Sequence, residues 1–252
     1  MDIVQIKKKL SQLQSTTSTK DNFWKPQPGK TQVRIVPYKF NKDNPFIELY
    51  FHYNLGTNKT YLSPVSFGRP DPVNEFSEKL KASGNREEWL QGRKIEPKMR
   101  TFAPVVVRGQ ERDGVKFWGF GKTVYQELLG FIADPDYGDI SDAINGRDIV
   151  VDRQTPAEAG NQYGKTTIRV KPNQSPITED SKLLEKLFDS QVDLTEIYNE
   201  PTYDELKSAL ENYLNPSEDE EDVVESNQNN QKVGAKNTTS NIEDAFDKLF
   251  ND

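Results

Sequence analysis

Two short stretches pair cations with flat rings at strand spacing. Lys98, Arg100 and Phe102 fall at every second residue, and so do Lys116, Trp118 and Phe120. Alternate residues of a β-strand share a face, so each triplet predicts a row of charge and ring on one side of its strand. Phe117 then falls on the other side. Arg108, Arg112 and Lys122 extend the same basic run. This pairing suits a single-stranded nucleic acid. Cations follow the phosphates, and rings stack on unpaired bases for about 1–3 kcal/mol each. Arg34, Tyr38, Lys39, Tyr50, Tyr53 and Tyr61 form a second, sparser set. A single ring is more often part of a β core than a ligand platform, so the interleaving carries the expectation.

Little here points to catalysis. His52 is the one histidine and cysteine is absent, which removes thiol chemistry, disulfides and cysteine zinc sites together. Gly119-Phe120-Gly121-Lys122 lacks the spacing of a phosphate-binding loop. The carboxylates are scattered or concentrated near the C-terminus. The expectation is a binding protein with no cofactor, not an enzyme.

The elements that must position these residues read as mostly β with inserted helices, an α+β class. Strand patterns run over 31–36, 46–53, 102–107 and 115–120, with Asp113-Gly114 as a hairpin signal between the last two. Residues 147–153 and 166–171 read as a further pair. Helical patterns cover 72–82, 122–133, 181–188 and 202–214. Pro72 near a start and Gly84 past an end give the first its direction, and Thr202 with Glu205 makes a capping box for the last. Ile3, Ile6, Leu10 and Leu13 predict a short amphipathic helix before a Ser/Thr connector. Short strands with a few helices suit an OB-fold-like barrel, an architecture that binds oligonucleotides on one face.

Charge is distributed unevenly. The formal net charge is −7, which alone argues against a nucleic-acid partner. Yet residues 20–172 hold 24 Lys and Arg against 19 Asp and Glu, while residues 173–252 hold 6 against 20. A basic core followed by an acidic tail is the pattern of a nucleic-acid binder. The predicted divisions are a basic segment over 1–19, a core over 20–214 with a helical subdomain at about 61–95, and a disordered acidic tail over 215–252. Within the tail, Ile242, Phe246, Leu249 and Phe250 sit at helical spacing among acids. Exposed, they would be a liability without a use, so they predict a partner-docking peptide. The N-terminus lacks the apolar region of a signal peptide, and no apolar run is long enough to cross a bilayer.

In this order the motifs resemble the single-stranded DNA-binding (helix-destabilising) proteins of T-even-type tailed phages. Lys7-Lys8-Lys9-Leu10-Ser11 is similar to the family's basic N-terminal cooperativity segment, and Trp24-Lys25 to its entry into the core. Val33-Arg34-Ile35-Val36-Pro37, Pro45-Phe46 through His52, and Phe102-Ala103-Pro104-Val105-Val106-Val107 echo its strands. Phe120-Gly121-Lys122 and Val192-Asp193-Leu194-Thr195-Glu196 match later elements. The resemblance implies an OB-fold core and cooperative, sequence-independent coating of single-stranded DNA. It also implies roles in phage DNA replication, recombination and repair, in the cytoplasm of the infected host cell. Lys7, Lys8, Lys9 and Ser11 would mediate self-association along DNA. The acidic tail would dock replication and recombination proteins and compete with DNA.

One departure bears on stability. Family members bind structural zinc through a His and three Cys, two of them in Cys-Pro-Val-Cys. Here that motif reads Asp71-Pro72-Val73-Asn74, with His52 at the family histidine. Tetrahedral zinc needs four good ligands, so no metal is expected, and apolar contacts from Phe67, Val73, Phe76 and Leu80 are predicted to hold the subdomain instead. Two further readings share parts of this pattern: a protein-interaction scaffold working through the tail, and an RNA-binding regulator on the same core.

Overall fold

The computed structural model describes residues 21–53, 55, 60–215, 246, 249 and 250. The predicted N-terminal helix, Lys7, Lys8, Lys9, Ser11 and Ile242 lie outside the described residues. Eight strands are β1 (Phe23–Trp24), β2 (Gly29–Ile35), β3 (Ile47–His52), β4 (Tyr61–Leu62), β5 (Lys98–Val107), β6 (Lys116–Phe120), β7 (Arg147–Gln154) and β8 (Lys165–Gln174). The helices are α1 (Pro72–Ala82), α2 (Arg86–Ile95), α3 (Lys122–Ala133), α4 (Pro156–Ala159), α5 (Ser181–Asp189), α6 (Leu194–Ile197) and α7 (Tyr203–Leu214). The result is a mixed α+β chain. No helix among the described residues is long and apolar enough to cross a membrane.

The chain divides into two compact units, residues 1–48 with 100–198 and residues 49–99 with 199–252. The first is built on a sheet path β1-β6-β5-β2-β7-β8. The β1–β6 pair is parallel and the others are antiparallel. Period-2 alternation sets its inner face: Val33, Ile35, Ala103, Val105, Trp118, Phe120, Ile149, Val151 and Val170 are buried. One-residue slippage would turn this whole set to solvent, which pins the register. Over the opposite face, Ile177 and Leu187 pack on Val36 and Val106 as a second small core. Leu187 comes from α5, whose N-cap Asp180 accepts from the amides of Lys182 and Leu183.

The second unit is mainly helical. Helices α1 and α2 approach closely at Gly92, where a Cβ would meet the Ser77 carbonyl at 2.7 Å. The Ser77 hydroxyl donates to the Gly92 carbonyl at 2.9 Å and closes the same contact. Leu55, Val73, Phe76, Leu80, Ile95, Leu206 and Leu210 form the core. Phe67, predicted to join it, instead lies under the Arg69 guanidinium at 4.8 Å. The capping box of α7 is present, with Thr202 and Glu205 each bonding the other's backbone amide.

Candidate nucleic-acid interface

The predicted stacking platform does not form. In the β5–β6 register Phe102 lies opposite Gly119, and Ala103 opposite Trp118. Paired residues share a face, so Arg100 and Phe102 stand on one side of the sheet while Trp118 and Phe120 stand on the other. Both sides are covered at these positions. Trp118 is 1% exposed, with its ring 5.7 Å from Trp24 and 4.7 Å from Phe120. Phe117, on the opposite face, is also buried. Phe102 packs edge-on against Phe23 at 6.0 Å. Gly119 permits this layer, since a Cβ there would come within 2.8 Å of the Phe102 ring. These rings form a core and offer no face to a base.

Several predicted phosphate contacts are also internal. Arg34 is fully buried, donating through Nε to Asp148 at 2.9 Å and through its terminal nitrogens to the backbone and hydroxyl of Ser175. Arg108 donates to the same Asp148 oxygen at 2.9 and 2.8 Å, and to the carbonyls of Pro176 and Ile177. Gln32 adds a further donor to Asp148. The two guanidiniums and one carboxylate tie β2, β5 and β7 to the segment entering α5. Tyr38 is buried. Its hydroxyl donates to Asp193 at 3.2 Å and accepts from the Leu194 amide at 3.0 Å. Burial, with the neighbouring carboxylates, pushes this phenol up to about 12.

Burial alone would raise the Asp148 carboxyl. The Arg108 hydrogen bonds and the charges of Arg34 and Arg108 outweigh it and hold the group below the ordinary carboxylate range. A depressed folded-state pKa adds stability above the unfolded value, about 3.9, and loses it as pH falls through the folded value. Urea midpoints are therefore expected to fall with acid below about pH 3.9. Asp148→Asn should flatten that limb, and an unchanged acid limb in the variant would contradict the assignment.

The free charge of this unit lies elsewhere. On β8, Lys165, Thr167, Arg169 and Lys171 share one face, while Val170 turns inward. Cations two residues apart on a strand stand about 6.6 Å apart. Asp152 pairs with both Thr167 and Lys30, so Lys30 of β2 lies on the same face two strands away. Lys30 reaches Asp152 only at 3.9 Å. Lys165, Arg169 and Lys171 make no ion pair within the described residues. At the end of this row, in the β7–β8 loop, Tyr163 is 75% exposed. Its carbonyl accepts from Arg153 at 2.7 Å. The next residue, Gly164, has φ 72°, and any side chain there would collide with the Gln154 carbonyl, so the loop can close only with glycine. The period-2 Lys-x-Thr-x-Arg-x-Lys pattern is visible in the sequence, but it has no ring within the run to mark it as a binding face.

Other predicted residues stay at the surface. Arg112 and Lys122 are exposed and Lys116 is half-buried. Arg100 is exposed and donates to the Gly119 carbonyl at 2.7 Å. Lys39 donates to the Asp189 carbonyl at 3.1 Å beside a groove of about 420 Å³ lined by Pro37, Tyr38, Lys42 and Phe188. Phe40 next to it is 49% exposed. In the second unit Tyr53 is 43% exposed, while Lys98 is held by Glu96 at 2.6 Å.

The second unit also shows what surrounds His52 and Asp71, where the resemblance implied a metal site. His52 and Asp71 are fully enclosed. His52 Nε2 lies 2.9 Å from an Asp71 carboxylate oxygen, and Nδ1 lies 2.9 Å from the Ile95 carbonyl. The Ser63 hydroxyl donates to the same Asp71 oxygen. The other oxygen of Asp71 accepts from the amides of Val73 and Asn74 and caps α1. Both ring nitrogens are engaged and no thiolate is present, so this donor set does not fit tetrahedral zinc. Burial acts to raise the Asp71 carboxyl. The bond and charge of His52, then Ser63 and the α1 amides, override it and hold the group low. Sequence reasoning predicted apolar contacts alone here and missed this polar cluster.

A family model described as gp32 DNA binding protein like matches residues 27–215. The curated proteins contain no match to the chain.

Proposed function

We propose a function that starts from one fact: the chain belongs to the gp32 DNA-binding-protein-like family. That is a DNA-binding family, and the reading here is that the ligand is single-stranded DNA, bound without sequence preference. The observation that carries it is the outer face of β8, where Lys165, Arg169 and Lys171 stand free in a row that ends at the exposed Tyr163. A cation row tracks a phosphate backbone, and an isolated exposed ring stacks on a base only when that base is unpaired. Phe40 beside Lys39 and Lys42 supplies a second ring-and-cation pair. Arg100, Arg112, Lys116 and Lys122 add positive potential. The antiparallel run β6-β5-β2-β7-β8 supports an OB-type core.

The finer parts of the reading rest on sequence. Lys7, Lys8, Lys9 and Ser11 would join neighbouring copies along the strand. The acidic stretch from Glu218 to Asp222 would compete with DNA for the cationic face, and the tail would recruit replication, recombination and repair proteins. Residues 1–19, 20–214 and 215–252 would divide the chain accordingly.

Titration of labelled oligo(dT) with the full-length protein tests this. Binding at micromolar concentration or tighter is expected at low salt. If about six cations meet phosphates, log K should fall against log salt with a slope near −4. An oligomer whose anisotropy stays flat at low salt would sink the proposal. Cutting after Pro216 should tighten binding, and equal or weaker affinity would remove the competition role. A matched RNA oligomer bound more tightly than DNA would favour an RNA partner.

A further inference from the structure

Three apolar residues near the C-terminus, Phe246, Leu249 and Phe250, are described, and none is exposed. Phe246 is 6% exposed and belongs to the core of the second unit. Its ring meets Phe76 of α1 edge-on, with centroids 5.7 Å apart at 77°. Leu249 and Phe250 are half-buried against the same cluster. Residues 246, 249 and 250 are helical, so i, i+3 and i+4 side chains share one stripe. The Phe246 and Phe250 rings lie 4.7 Å apart. Phe250 in turn meets Tyr203 of α7 at 6.5 Å and 67°. Lys207 of α7 stands 5.3 Å over the Phe250 ring and reaches its carbonyl at 3.5 Å. Thus α1 and α7 make a seat, and Phe246, Leu249 and Phe250 fill it.

Seat and tip are complementary in chemistry. The seat gives an aromatic wall at Phe76, aliphatic floor residues at Leu206 and Leu210, and a cation at Lys207. The tip gives two rings and a leucine in a sequence rich in acids, with Glu243, Asp244, Asp247 and Asp252 around them. An apolar stripe used for recruiting a partner cannot at the same moment be buried in its own chain. We propose that the C-terminal tip is a self-docked peptide. Its resident site is the α1–α7 seat, and a protein that captures the tip must first displace it. The occupant is the same chain's tip. Only the undocked fraction is open to partners, so apparent partner affinity is reduced by that fraction. The proposal does not depend on DNA binding.

The test uses full-length protein and a fluorescein-labelled peptide of residues 241–252. In the wild type the seat is filled and the peptide should bind weakly. In a Phe246→Ala/Phe250→Ala variant the seat is vacant, and peptide affinity should rise at least tenfold. Adding Lys207→Glu and Tyr203→Ala to that variant should abolish the gain. Peptide binding that is absent from both proteins, or equal in both, would overturn the proposal. Hydrogen exchange on the unmutated chain keeps the idea falsifiable if the variant fails to fold. The amides of residues 246–250 should exchange at least tenfold more slowly than in the free peptide. Exchange at the free-peptide rate would refute self-docking. Protection that grows with protein concentration would also refute it, assigning the seat to a neighbouring copy's tip.

Discussion

Asp71→Ala is expected to destabilise the protein by about 3–5 kcal/mol, because it leaves several buried polar groups without their hydrogen-bond partner. Three supports go at once. His52 Nε2 loses its acceptor inside a closed core, the Ser63 hydroxyl loses its own, and α1 loses its N-cap, alone about 1 kcal/mol. Against a total stability of about 5–15 kcal/mol, such a loss should shift the thermal midpoint by many degrees. Asp71→Asn keeps the shape and an oxygen for the α1 amides, and should cost less, about 1–2 kcal/mol. A chelator should leave the wild-type midpoint unchanged, because the link from His52 to α1 runs through a carboxylate. Equal losses for the two variants would show that the cap and the side-chain volume do not matter. A wild-type midpoint lowered by chelator would show that a metal does the work assigned here to Asp71.

This cluster also marks where sequence reading stops. That no cysteine stands at Asp71-Pro72-Val73-Asn74 was plain. That Ser63 and the Ile95 carbonyl would close around His52 was not, because they come from segments with no local pattern linking them. Several helices were legible: α1 and α3 span the predicted residues, and the α7 capping box is in place. Helix α2 was not anticipated. It buries only Gly92 and Ile95 and leaves Trp89 and Leu90 about half exposed, so no run of buried large apolar residues marks it. Strand pairs were legible from alternation, but their register was not. The one-residue offset that puts Phe102 across from Gly119 rather than Trp118 separated the two predicted ring triplets onto opposite faces. The same limit applies to Arg34 and Arg108, whose charge looked free until Asp148, more than a hundred residues from Arg34, was placed beside both.

Trp118→Ala and Tyr163→Ala should therefore separate stability from binding. Trp118 is enclosed by Trp24, Phe120 and the β5 strand, so its truncation opens a large cavity and should cost about 3–5 kcal/mol. Oligo(dT) affinity of the protein that remains folded should stay near the wild-type value, since the indole meets no solvent. Tyr163 has the opposite profile. Its ring packs on little, and replacing it should change stability by no more than about 0.5 kcal/mol. If it stacks on a base, its loss should weaken oligo(dT) binding by about 1–3 kcal/mol, roughly 5- to 150-fold. The salt slope should be unaffected, because no phosphate contact is removed. Lys165→Ala or Arg169→Ala should instead weaken binding and lower the magnitude of the slope by about 0.7 each. Full affinity in Tyr163→Ala, with lost affinity in folded Trp118→Ala, would place the binding face on the β5–β6 side and require those strands to open when DNA binds.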